Sequence, residues 1–209
     1  MNRAVRITAS TLGVYAGLLG IQHGYFETLQ GNLVPKKLLI NAIGASCQPE
    51  AVWHACFPAL TLFPTLLITG IVAIMVGLMV VIWSVGFTHR KHFGLILVPL
   101  SMMMIPVGGG FVPAFIGVLA GIAGIKTNSL LNWWQTRSSF VMHILSMLWP
   151  WNLIVLVLWL PGGWVLGHFF NQIMLNLGMS LFFMFDLGLP LLIVISSFAY
   201  VIHINKYHL

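Results

Sequence analysis

The chain has 209 residues, of which 59% are hydrophobic and 6% charged, and its formal net charge is +6. A soluble domain needs roughly a quarter of its residues charged to make a surface, so lipid must solvate most of this one. The nine Lys and Arg are scattered singly or in pairs rather than gathered into a stripe, which excludes a nucleic-acid partner. They read as topology determinants and lipid-headgroup contacts.

Between Glu50 and Arg90, between Lys91 and Lys126, and between Arg137 and Asp186 there is no Asp, Glu, Lys or Arg. Each gap exceeds the ~20 residues that cross a bilayer. The expected fold is an all-α integral membrane protein, a multi-pass bundle of about five to six segments forming a single domain over residues 1–209.

The first segment, residues 7–26, follows a basic start that resembles a signal peptide but lacks a small-x-small cleavage pattern, so it is expected to stay as a helix. Gly13, Gly17, Gly20, Gly24 and Gly31 recur at three, four and seven residue steps and form one stripe. Such a stripe lets another helix approach closely. Glu27 falls on the same side, and His23 lies one turn before it, at the i, i+4 spacing that lets two side chains meet or share a ligand.

An outer loop follows at about residues 31–57, holding Cys47 and Cys56, which are expected to close a disulfide in an oxidising compartment. The second segment, residues 58–87, carries Thr61, Thr65 and Thr69 as a hydroxyl stripe, read first as a helix contact. In the third, residues 93–125, Pro106 and Pro113 flank Gly108, Gly109 and Gly110, so a broken hairpin is expected. Crossed out and back, it puts seven basic residues on one side and only Lys36 and Lys37 on the other; crossed once, it leaves four against five. The positive-inside rule selects the hairpin and places both termini in the cytoplasm, most simply of a cell membrane.

Residues 128–149 are less apolar and are expected to lie along the interface as an amphipathic helix, ending at a Trp149-Pro150-Trp151 turn. Further segments are expected at residues 151–170 and 179–204. Asp186 lies inside the last, followed by Gly188 and Pro190; Pro190 frees the Asp186 carbonyl, leaving an acceptor beside the carboxylate. The bland alternative is a hydrogen bond from Asp186 to a Thr or Asn of a neighbouring helix.

Intramembrane acids mark ion and proton pathways or buried polar pairs. With the expected topology, His23, Glu27, His54, His168 and Asp186 all lie toward the outer half and make one candidate polar, ion or proton site. No catalytic residues stand out, because nucleophile elbows, phosphate loops and His-Glu-x-x-His are absent. One cysteine pair without C-x-x-C spacing argues against a thiol oxidoreductase, and no haem-attachment motif accompanies His143, His168 and His203. Neither a metal nor a cofactor is specified.

Three functions compete. A small transporter or channel-like protein for an ion, proton or small solute fits the broken hairpin and the buried acids. A non-catalytic assembly subunit, in a homo-oligomer or beside other membrane proteins, fits the glycine stripes on the first helix and at Gly117, Gly121 and Gly124. An intramembrane metal or cofactor enzyme lacks a third ligand at metal spacing.

Overall fold

A computed structural model describes residues 2–41, 58–125 and 139–207. The expected Cys47–Cys56 disulfide, His54 and the beginning of the expected interfacial helix lie outside them. The described chain is mostly helical, and four of its helices are long and apolar enough to cross a membrane: Arg3–Thr28, Leu66–Gly86, Phe140–Phe169 and Phe183–Ile204.

Helix α1 (Arg3–Thr28) begins where the Asn2 side chain accepts from the Ala4 N–H at 3.0 Å. It packs antiparallel on α2 (Leu66–Gly86) through glycine pairs: a Cβ on Gly17 would stand 2.7 Å from the Gly77 carbonyl oxygen, and one on Gly24 2.6 Å from that of Gly70. The α1 glycine stripe is therefore a seam inside this one chain. Gly31 is not part of it, because it sits in the turn beyond α1 at φ 64°.

The second element starts later than expected. Residues 58–60 (Pro58–Leu60) form β2, which pairs with β1 (Leu39–Asn41) as a small antiparallel ribbon. Thr65 then caps α2, so Thr61, Thr65 and Thr69 occupy a strap, a cap and a first turn rather than one helical stripe.

The broken hairpin consists of α3 (Phe93–Met102) and α4 (Phe111–Gly124), joined by residues 103–110. Gly121 backs onto the Gly94 carbonyl, 3.0 Å from where a Cβ would lie, so the chain returns to the end from which it left. Arg6 and His89 are joined there at 3.0 Å, which makes it the basic end of the bundle. Pro106 and the glycines break the helix, whereas Pro113 stands within the first turn of α4, where an N–H would have no intrahelical partner.

The turn expected at Pro150 does not occur. Helix α5 (Ser139–Phe169) runs unbroken through Pro150 and Pro161, so residues 139–149 are the first turns of a long helix and not a separate interfacial one. Trp149 secures this continuity: its indole N–H donates to Thr8 Oγ1 at 2.8 Å and its ring lies 4.7 Å from that of Tyr200. After α6 (Asn171–Leu181) comes a π-helical stretch, Phe182–Gly188, and then α7 (Leu189–Tyr207), antiparallel to α5. Because Tyr200 and Thr8 share Trp149, the N-terminal start and the C-terminal helix end at the same, basic end.

Candidate functional site

Opposite the basic end, four short pieces of chain enclose two ionisable side chains. The Gly108 N–H donates to the Leu60 carbonyl at 2.8 Å, the Leu62 N–H to that of Pro106 at 3.1 Å, and Thr61 bridges Val107. The strap before α2 is thereby clamped onto the hairpin turn. Gly108 and Gly110 adopt φ values of 87° and 85°, which L side chains rarely take.

These glycines make room for Glu27 and His23. A Cβ on Gly108 would run into both carboxylate oxygens of Glu27 and the methyl of Thr69, while one on Gly110 would stand 2.8 Å from His23 Nε2. Glu27 has no exposed surface and His23 only 9%. Among the described residues, neither Glu27 oxygen nor His23 Nδ1 has a hydrogen-bond partner. Buried polar groups are nearly always satisfied, so three open atoms on side chains one turn apart need an explanation.

Asp186 belongs elsewhere. It is buried within the π-helical stretch, where Tyr15 Oη donates to it at 3.5 Å and the Trp159 indole also hydrogen-bonds to it. Its partners are thus an aromatic hydroxyl and an indole, not the Thr or Asn expected. Trp159 is held in place by stacking on Phe185 at 4.0 Å. Tyr15 precedes Glu27 by twelve residues on α1, about 18 Å along the axis and about 120° around it. The expected convergence therefore separates into two places, one around Glu27 and His23 and one around Asp186.

The Leu189 N–H reaches back to the Met184 carbonyl, the wider π register. Pro190 accounts for that widening: in an α-helix its ring would crowd the Asp186 carbonyl four residues earlier. His168 is exposed at the end of α5, its ring 5.1 Å from that of Phe169. At the basic end His143 and His203 lie with ring centroids 5.0 Å apart. No three His, Cys, Asp or Glu come together as metal ligands among the described residues.

The pairing of Glu27 with the hairpin turn was missed by sequence reasoning, as were Tyr15 and Trp159. The i, i+4 spacing of His23 and Glu27 and the glycine run were each visible, but nothing local joins them.

No protein-family model matches the chain, and no curated protein or solved structure matches it significantly either. Function has to be argued from the site.

Proposed function

We propose that the chain is a multi-pass membrane protein that moves an ion, a proton or a small solute, with Glu27 and His23 as its binding groups. One observation supports this above all: the Glu27 carboxyl is enclosed against a glycine turn, with both oxygens unpartnered. An acid in that position is costly unless something binds it. The hairpin arms, α3 and α4, are shorter than a bilayer is thick, the form that broken helices take around transported ligands.

The apolar surface fits a bilayer. Met75, Leu78, Met79, Ile82 and Val85 point outward from α2, as lipid-facing residues would. With the basic end facing the cytoplasm, both termini are cytoplasmic and Lys36 and Lys37 lie outside. Flux measurements on purified protein in liposomes test the proposal: wild type should dissipate an imposed cation or proton gradient, and Glu27→Gln should not. Equal flux through both, or through neither, would end it.

The alternative of a non-catalytic assembly subunit keeps one supporting observation. Helix α5 leaves Trp151, Val157, Leu158 and Trp164 exposed along its length. The glycine stripes no longer favour it, since Gly17 and Gly24 pack on α2, and Gly121 on α3, within the chain. For an enzyme reading, no set of three metal-ligating residues comes together among the described residues.

A further inference from the structure

The two threonine hydroxyls and the two glycine amides that lie beside Glu27 among the described residues are already engaged. Thr69 Oγ1 donates to the Thr65 carbonyl at 2.9 Å. Thr61 Oγ1 accepts from the Phe63 N–H at 3.0 Å and stands 2.6 Å from Thr69 Oγ1, so the Thr61 proton is used on Thr69. The Gly108 and Gly109 N–H groups go to the carbonyls of Leu60 and Met104, each at 2.8 Å. Neither threonine hydroxyl, nor the Gly108 or Gly109 amide, is left to donate to the carboxyl.

Charge is equally scarce. Residues 58–65, α2, the turn at residues 103–110 and α4 contain no Asp, Glu, Lys, Arg, His, Cys or Tyr. Helix α5 reaches this end through Trp164, stacked 5.8 Å from Phe26, and its one titratable residue here, His168, is exposed. Tyr25 on α1 and Lys36 and Lys37 in the segment that follows it are exposed, so among the described residues His23 is the buried titratable group beside Glu27.

An enclosed carboxyl has to be neutralised by a proton or by a bound cation. A metal cation takes about four to eight ligands, whereas among the described residues this site offers one carboxylate and one imidazole, in a space that a single methyl on Gly108 would overfill. We propose that the ligand of this site is one proton shared between Glu27 and His23, an inference that rests on the transport reading above and narrows its cargo. The proton comes from hydronium in the bulk solvent, whose O–H bond breaks to leave water, and it forms an O–H bond on a Glu27 oxygen. Rotation of the two side chains, one turn apart, then aims that O–H at His23 Nδ1, which accepts while Nε2 carries the ring's own hydrogen. Moved onto Nδ1, the same proton leaves an imidazolium facing a carboxylate, and the pair stays neutral overall.

Infrared difference spectroscopy between acid and alkaline pH, on the full chain in liposomes, reads this proton directly. In a Glu50→Gln, Asp186→Asn background, which leaves Glu27 as the one acidic side chain, the C=O band of a protonated side-chain carboxyl, shifted by D2O, should be present, and it should vanish when Glu27→Gln is added. Should E27Q fail to fold, Glu27→Asp serves, since it should move the band rather than remove it. Identical spectra with and without the Glu27 carboxyl overturn the proposal, as does a stoichiometric metal that co-purifies with wild type and is lost on E27Q.

Flux separates the cargo from the transport reading. With choline as the only added cation and a pH-sensitive dye trapped inside, wild type should collapse a pH gradient and E27Q should not. Glu27-dependent flux of Na+ or K+ without a pH change overturns the proton while transport stands. A Glu27 carboxyl band without flux of any kind overturns transport and leaves the proton site in place.

Discussion

Gly24 of α1 and Gly70 of α2 meet backbone to backbone, so that a Cβ on Gly24 would lie 2.6 Å from the Gly70 carbonyl oxygen and 2.9 Å from the Ile74 amide nitrogen. Neither obstacle is a flexible side chain that can swing away. Gly24→Ala should therefore push the two helices apart and cost about 1–3 kcal/mol. Gly162→Ala provides the contrast, because nothing lies within 4 Å of a Cβ there; in a helix this change should be neutral or stabilise by up to about 1 kcal/mol. Thermal unfolding of the two variants in the same detergent checks the pair, and equal effects would contradict the seam.

Gly108→Ala should be worse than a packing defect. The residue would have to keep φ 87° while its methyl displaced the Glu27 carboxyl. A cost of about 1–3 kcal/mol follows from the backbone alone, together with loss of any Glu27-dependent flux. Normal flux in a folded Gly108→Ala protein would show that the turn does not set the position of Glu27.

At Asp186 the expectation is structural. Its carboxyl accepts from Tyr15 and Trp159, and Asp186→Asn would turn an amide NH2 toward one of two donors. Stability should fall by about 1–3 kcal/mol, with Tyr15→Phe near the lower end of that range. Proton flux should survive both changes. If Asp186→Asn abolished flux without altering the unfolding temperature, Asp186 would have to join the transport site.

Topology is open to single-cysteine labelling in a background where Cys47 and Cys56 are replaced. Cysteines at Lys91 and Ile125 should react with a membrane-impermeant reagent from the same side, and one at Lys37 from the opposite side. Lys91 and Ile125 labelling from different sides would break the hairpin and with it the placement of Gly108 beside Glu27.

The hairpin was legible because its cause is local: Pro106 and three glycines cannot continue a helix whatever surrounds them. The α1 glycine stripe was legible as a contact face for the same reason, although the sequence left open whether its partner lay in the same chain. Trp149-Pro150-Trp151 misled because a proline's local cost was overridden by contacts from Thr8 and Tyr200, far away in sequence. Depth misled at Asp186. Two acids placed in the same half of a bundle need not meet, since rotation about the helix axis and the choice of neighbour decide contact, and neither is written in a single segment's periodicity. His54 and the Cys47–Cys56 pair lie outside the described residues.

The wide turn at Phe182–Gly188 has a consequence for how this chain tolerates changes in length. In an ordinary α-helix, losing one residue swings everything beyond it by about 100° and ruins its packing. A π-turn already holds a surplus residue, so a deletion between Phe183 and Gly188 would tighten the coil toward α-helical spacing and keep α7 facing α5, at the cost of setting the Pro190 ring against the carbonyl four residues before it. What such a deletion would change is the aim of Asp186, which would swing away from Tyr15 while the helices on either side kept their places.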